Sequence, residues 1–308
     1  MYRLVSMFLV AFCALQMAEA QQTIQWRTDV PAAVATAKNK SLPLMFYVLG
    51  KNEDRDNNLD NAQKKAFTDP KVLQLSRRFV TVRLSRSANR DVLQELRLPA
   101  TMTQEIAFAT PDGKVIDRIS PSGVADPKTL ADKMRMVFDS YRRDLFTREI
   151  QPELDKPDAD PQRLLAGLGA IRDLNIVSAD AALIRLTERE KLDNKVRFET
   201  YEVLAALSTK PAVEKLFELA KAEKPRAAEA LGKITPAGAE ILADKLVEDD
   251  GTVQIVAYDA ICKACGIRER RATKWWERAE NRLKLEELEK TKQAAKEAAE
   301  RWRATYEE

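Results

Sequence analysis

An uninterrupted apolar run stands near the start of the chain, Leu42-Pro43-Leu44-Met45-Phe46-Tyr47-Val48. A continuous run with proline only near its start is typical of a central β-strand that is buried on both faces. The stretch 79–84 has the same character, and two further strands are predicted at 106–109 and 114–119. Between these last two, Thr110-Pro111-Asp112-Gly113 predicts a turn, because proline presets one backbone dihedral and glycine frees another.

Helices are predicted around these strands. Asp69-Pro70 predicts a helix start, with a capping carboxylate followed by proline in the first turn. The predicted helices cover the alanine-rich stretch 32–37, 57–67, 70–77, 91–96 and a last one from Asp126-Pro127 to about Leu145. With a short extended segment at Trp26, the order along the chain is β-α-β-α-β-α-β-β-α.

This first half, 22–147, resembles exported thioredoxin-like proteins. The resemblance implies an α/β domain of thioredoxin-like fold. The stretches that carry it are Trp26 with the alanine-rich helix, 41–47, Phe67-Thr68-Asp69-Pro70-Lys71-Val72, 79–84 and Pro111-Asp112-Gly113-Lys114-Val115-Ile116.

The chain departs from this family at the redox site. The family carries a Cys-x-x-Cys pair at the start of the helix after the first central strand, where the helix terminus lowers the pKa of the first thiol. The pair would fall near Asp56 and Leu59, and 50–60 contains no cysteine. A carboxylate such as Asp56 could occupy the helix terminus, but it cannot exchange disulfides.

The second departure concerns the proline that the family places directly before the third central strand. That position falls near Gln104, and the closest proline, Pro99, comes several residues too early. Both halves of the redox site are therefore missing. We predict a redox-inactive domain with no catalytic residue and no cofactor.

The same loop carries alternating oxygen side chains, which suit a hard cation such as Ca²⁺. They are Asp54, Asp56, Asn58 and Asp60. The calcium loop pattern then needs glycine at its sixth position and glutamate at its twelfth, where this chain has Leu59 and Lys65. Two interpretations stay open, a weak calcium site and a solvated polar loop with a helix cap.

The first twenty residues have the layout of a secretory signal peptide. Arg3 precedes the apolar run 4–15, and Ala18-Glu19-Ala20 offers a small-x-small cleavage site. The alternative is a membrane anchor, for which the apolar run is short. We predict a signal peptide over 1–20, a periplasmic or extracellular location, and no transmembrane segment in the mature chain.

The composition excludes several classes of site. The chain contains no histidine, so Ser-His-Asp and Cys-His arrangements and histidine zinc sites are ruled out. Its formal net charge is only +3, and the basic cluster at 268–274 is diluted by acidic neighbours. Nucleic-acid binding is therefore not predicted.

A proline- and aspartate-rich segment, 148–161, predicts a linker, and beyond it strand signals vanish. The stretches 202–209, 229–236 and 259–266 echo one another at offsets of 27 and 30 residues. This organisation resembles HEAT-like repeats over 162–267, in which amphipathic helix pairs stack because one pair cannot bury its apolar face alone. The alternative is an irregular helical bundle.

The mature chain has one cysteine pair, Cys262-Lys263-Ala264-Cys265. The stretch 253–264 predicts a helix, so both thiols would lie near a helix C-terminus, where the dipole disfavours a thiolate. Packing with free thiols, a structural disulfide, and a redox or metal function remain as alternatives. A zinc site would need two further ligands.

The last segment, 268–308, is predicted as a charged helix with favourable i,i+4 pairs such as Glu297 with Arg301. A narrow apolar stripe runs along it at 285, 288, 295, 299, 302 and 306. The stripe fits a solvated helix that caps the repeats, or alternatively a docking or weakly coiled helix.

The predicted fold class is thus α/β plus all-α. The function predicted from it is that of a non-catalytic exported interaction or scaffold protein, with protein partners bound through the helical repeats and the C-terminal helix. Two alternatives remain at this point: a thiol-disulfide oxidoreductase or isomerase that uses Cys262 and Cys265, and a chaperone-like holdase.

Overall fold

The structure is a computed structural model that describes residues 23–49, 58–86, 88–95, 104–222, 224–248 and 250–306. The chain forms two compact units, of which the first ends at Arg142 and the second begins at Arg143. The sequence predicts an α/β unit followed by an all-α region, and the structure confirms this division with a sheet of four strands followed by a helix-rich region. Within the described ranges, no helix is long and apolar enough to cross a bilayer.

The first unit alternates strands with helices. Its elements are α1 (Val30–Lys40), β1 (Leu44–Val48), α2 (Asn58–Ala66), α3 (Pro70–Ser76), β2 (Val80–Leu84), α4 (Arg90–Glu95), β3 (Glu105–Ala109), β4 (Val115–Ile119), α5 (Pro121–Ala125) and α6 (Pro127–Leu145).

The strands form one four-stranded sheet in the order β2-β1-β3-β4. Strand β1 pairs with β2 in parallel and with β3 in the antiparallel sense, and β4 lies antiparallel to β3. The extended start predicted at Trp26 appears as a single parallel bridge between Arg27 and Val82. At the predicted turn, Gly113 has a φ of 88°, and its N–H donates to the Thr110 carbonyl over 2.9 Å.

Strand β1 is buried along its whole length because helices cover both faces of the sheet. On one face Leu44, Phe46 and Val48 pack in a cluster with Ala33 and Ala37 of α1. The alternate side chains of β1 point to the opposite face. On that face the Phe79 ring lies between Phe108 of β3 and Phe138 of α6, at centroid distances of 5.4 and 6.0 Å.

The described part of the second unit is helical. Its elements are a π-turn (Phe146–Ile150), α7 (Gln151–Asp155), α8 (Pro161–Asp173), a 3-10 turn (Val177–Ala179), α9 (Asp180–Thr187), α10 (Asn194–Leu207), α11 (Lys210–Lys221), α12 (Pro225–Leu231), α13 (Pro236–Ile241), a 3-10 helix (Leu242–Val247), α14 (Gly251–Ala264), α15 (Thr273–Arg278) and α16 (Asn281–Tyr306).

These helices lie in two layers. One layer contains α7, α9, α11 and α13, and the other contains α8, α10, α12 and α14, with each helix in contact with the next one in its layer. Each odd-numbered helix also contacts the even-numbered helix that follows it in the chain. Helix α16 contacts α13 and α14, so it covers the last member of both layers.

The segment predicted as a linker is helical as far as Asp155. In a regular α-helix the Pro152 ring would clash with the carbonyl four residues earlier, and Pro152 has no N–H to donate. The π-turn lies directly before α7, the helix that contains this proline. The chain leaves helical geometry only at Lys156.

The charged C-terminal segment is two helices and not one. Ala279 is extended, with φ −68° and ψ 146°, and separates α15 from α16. The break comes where Trp276 packs edge-on against Tyr258 at a centroid distance of 4.9 Å. Tertiary packing therefore overrides a strong helical propensity here. In the predicted stripe, Leu288 is buried but Leu285 is 65% exposed.

Candidate functional site

Gln63, to which the sequence assigns no role, lies in the region predicted as a degenerate redox site. Helix α2 places its side chain under the sheet, where it is 1% exposed. The Tyr47 hydroxyl donates to Gln63 Oε1 over 2.7 Å. Gln63 Nε2 donates to the carbonyls of Gln104 and Pro121, both over 2.9 Å. One amide thus ties β1, the residue before β3 and the start of α5 together.

Gln104 lies directly before β3, the position at which the resemblance implies a proline. Its φ is 55°, a left-handed conformation that few non-glycine residues adopt. Its N–H donates to the Val48 carbonyl over 2.7 Å, which a proline could not do. The carbonyl and the N–H of Gln104 therefore both serve internal hydrogen bonds.

An aromatic cluster lies next to this network. The rings of Trp26, Tyr47 and Phe67 meet pairwise at centroid distances of 5.5, 5.3 and 5.1 Å. In the sequence, Trp26 and Phe67 stand out only as matching pieces of the family pattern. Ring packing and the Gln63 amide network stabilise this part of the first unit.

The other predicted positions of this region are only partly described. Asp54 and Asp56 lie outside the described residues. Asn58, Leu59 and Asp60 form the first turn of α2, which begins at Asn58. Among the described residues, no group of three acidic or cysteine side chains is placed to hold a metal ion.

The thiols of Cys262 and Cys265 lie where the sequence predicts, at the C-terminal end of α14, and both are free. Gly266, with a φ of 67°, and Ile267 close the helix, and the Ile267 N–H donates to the Cys262 carbonyl over 2.8 Å. Burial raises the pKa of each thiol to about 11. The geometry therefore favours neutral, packed thiols over a reactive pair.

A buried polar network lies beside Cys262, and sequence reasoning missed it. The Tyr258 hydroxyl donates to Glu287 Oε1 over 3.1 Å and accepts the N–H of Arg271 over 2.8 Å. Arg271 Nε lies 3.2 Å from Glu287 Oε2. Glu287 is only 9% exposed, and its carboxylate tolerates this burial because it is paired with the Arg271 guanidinium. Burial raises the pKa of Tyr258, which keeps its phenol protonated as a donor.

Many polar contacts between neighbouring helices join residues 27 to 31 positions apart, whereas the Arg189 guanidinium reaches back 33 and 35 residues to the carbonyls of Lys156 and Leu154. The pairs, each with its separation in residues, are Arg172 with Glu199 (27), Asp155 with Arg185 (30), Asp180 with Thr209 (29), Glu188 with Lys215 (27), Glu202 with Lys233 (31), Ser208 with Thr235 (27) and Tyr258 with Glu287 (29). These separations match the offsets of 27 and 30 residues between the sequence echoes. Several contacts between neighbouring helices of the second unit therefore span similar lengths of sequence.

Comparison with known proteins returned no matching family model, no matching curated protein and no matching solved structure.

Proposed function

We propose that this protein is an exported, non-catalytic interaction protein, in which a redox-inactive thioredoxin-like domain is joined to a HEAT-like helical array that binds a protein partner. The observation that carries the proposal is the recurrence of inter-helix contacts every 27 to 31 residues across two stacked layers. Stacked helix pairs create extended surfaces that commonly bind other proteins.

The first unit supports the thioredoxin-like part of the proposal through its element order. A bridge at Arg27, a parallel strand pair and an antiparallel hairpin follow one another with helices between them. This sequence of elements agrees with the predicted βαβαβαββα arrangement. The Gln63 network uses the backbone of Gln104 for packing, which supports a structural role for the degenerate site.

One surface of the array has the composition of an interface. Phe198 of α10 is 39% exposed, and the Arg226 guanidinium at the start of α12 lies 5.5 Å from its ring centroid. The two residues belong to successive helices of one layer. Exposed aromatic and arginine side chains that lie together are typical of the residues that dominate binding energy at protein interfaces.

The test is site-specific photo-cross-linking of the full chain in its native envelope. A photoreactive residue replaces Phe198 in one variant and Glu218, exposed on α11 of the other layer, in the control. We expect one discrete cross-linked partner from position 198 and none from position 218. Cross-linking to no protein, or to the same proteins from both positions, would overturn the proposal.

A second measurement addresses catalysis. The purified mature chain is incubated with insulin and dithiothreitol, and turbidity from insulin reduction is followed. We expect the rate to equal that without protein, because the raised pKa of each thiol keeps it neutral near pH 7 and Cys262 is buried. Acceleration that disappears on Cys262→Ala would identify an oxidoreductase instead.

A further inference from the structure

The first unit contains a surface groove remote in sequence from the degenerate redox loop. It has a volume of about 280 Å³ and lies among the segment before α1, the end of α1, helix α3 and the start of β2. That volume is near the lower end of the range for small-molecule sites.

The charge lining this groove is of one sign. Arg27, Lys40 and Arg77 line it, and no carboxylate does. Asp29, two residues after Arg27, is engaged elsewhere, because its Oδ1 caps α1 by accepting the Ala32 N–H over 3.0 Å. The segment from 21 to 142 has twenty basic and fourteen acidic residues, a net charge of +6, whereas 143–308 has thirty basic and 33 acidic residues, a net charge of −3. The field of the first unit therefore adds to the local charge of the groove.

Arg27 is held in place at both its backbone and its tip. Its N–H donates to the Thr81 carbonyl over 3.0 Å, and its carbonyl accepts the Arg83 N–H over 2.8 Å. Its Nη1 donates to the Thr36 hydroxyl over 2.9 Å, and that hydroxyl donates to the Ala32 carbonyl over 2.8 Å. A guanidinium has five N–H donors, so one bond to Thr36 orients the group without exhausting it.

We propose that this groove binds a small amphiphilic anion, whose carboxylate or phosphate group contacts Arg27 and Lys40 and whose short apolar body packs on Leu42 and Leu73, both of which are partly exposed. These apolar side chains line the same groove as the cations. Two apolar side chains beside an oriented guanidinium match the two parts of such a ligand. This inference is independent of the proposed protein–protein interaction.

The test uses nitrogen-15-labelled mature full chain titrated with benzoate, phenyl phosphate and the neutral analogue benzyl alcohol. We expect saturable amide shifts at Thr36 and Thr81 with at least one of the two anions, and no saturation with the alcohol. Saturation by only one anion identifies the head group. Equal binding of the alcohol, or no saturable shift with either anion, overturns the proposal.

Variants distinguish anion binding in the groove from a general effect of surface charge. Arg27→Gln with Lys40→Gln should weaken anion binding by about tenfold or more, because charge-assisted hydrogen bonds are lost. Lys40→Glu alone, at an exposed position, should also weaken it and serves if the double variant does not fold. The control pair Arg118→Gln and Lys128→Gln removes the same charge outside the groove and should leave the affinity within about twofold. Equal weakening by the control pair would show a diffuse charge effect and refute the site.

Discussion

At the residue scale, the buried Gln63 side chain joins three separate segments of the first unit. We expect Gln63→Leu to lower the free energy of unfolding by about 2 kcal/mol or more, because the change removes three hydrogen bonds that a buried amide makes to Tyr47, Gln104 and Pro121. Urea unfolding of the full chain measures the effect, and hydrogen exchange of the β1 amides locates it.

Two further variants provide a scale for the stability lost in Gln63→Leu. Tyr47→Phe removes one hydrogen bond of the same network and should cost about 1 kcal/mol. Asn61→Leu makes the same kind of change at an exposed position of α2 and should cost less than about 0.5 kcal/mol. If Gln63→Leu costs no more than Asn61→Leu, the network does not contribute to stability.

The cysteine pair gives a second prediction at this scale. Burial raises the pKa of Cys262 and Cys265 to about 11, whereas an unfolded thiol titrates near about 8.5. Since only the thiolate reacts, iodoacetamide at pH 8 should modify the native chain about 100-fold more slowly than the chain in urea. Mass spectrometry of the alkylated peptides gives both rates. Comparable rates would mean that at least one thiol is accessible and ionised.

The same shift fixes how stability depends on pH. A thiol whose pKa is raised by folding stabilises the native state below its unfolded pKa, and this contribution is lost as pH rises from about 8.5 towards 11. The stability of the natural chain should therefore fall more steeply over that window than that of the Cys262→Ala, Cys265→Ala variant. If the free energy of unfolding of both chains fell equally with pH, the raised pKa of the two thiols would be contradicted.

At the element scale, the approach of α13 to the turn after α10 depends on a glycine. A Cβ on Gly238 would lie 2.9 Å from Ser208 Cβ, which is closer than carbon atoms pack. The Ser208 hydroxyl also accepts the Thr235 N–H over 2.8 Å, so the turn is not free to retreat. We expect Gly238→Ala to destabilise the array by about 1–3 kcal/mol.

Helix α8 supplies the matched control. A Cβ on Gly169 would meet nothing within 4 Å, so Gly169→Ala should stabilise the chain by about 0.5–1 kcal/mol through helix propensity. Thermal unfolding followed by circular dichroism tests both variants. Stabilisation by both substitutions would show that backbone entropy, and not close packing, decides the outcome at Gly238.

Elements with a strong local signal were predictable, and those decided by packing were not. The apolar run at 42–48 and the cap at Asp69-Pro70 appear as β1 and α3 within two residues of the predicted bounds. No local residue signals the break at Ala279, because it follows from where Trp276 packs. Gln63 and Glu287 are polar residues whose burial depends on distant partners, so periodicity alone could not identify them.

At the scale of the whole molecule, the helical half is held together by contacts between neighbours in each layer. Arg172 with Glu199 and Glu202 with Lys233 link successive helices of one layer, and Glu188 with Lys215 links two of the other. Exposed ion pairs of this kind contribute little energy individually, so apolar stacking supplies most of the stability. Under the proposed repeat organisation, the helical half is a linear chain of coupled units and needs a covered end.

Helix α16 is the covering element at the C-terminal end, and its removal gives the last prediction. A chain ending at Ala279 should show faster hydrogen exchange most strongly in α13 and α14, less in α11 and α12, and least in α8, because coupling passes only between neighbours. Exchange measured by mass spectrometry on both chains reports this gradient.

Point substitutions in the full chain keep the prediction testable if the shortened chain does not fold. Leu288 is 4% exposed and Leu285 is 65% exposed on the same helix. Leu288→Ala should cost about 2–4 kcal/mol and raise exchange in α13 and α14, whereas Leu285→Ala should change neither. Uniform acceleration across the helical half would mean that it unfolds as one cooperative block, and no acceleration would mean that α16 is not its cap.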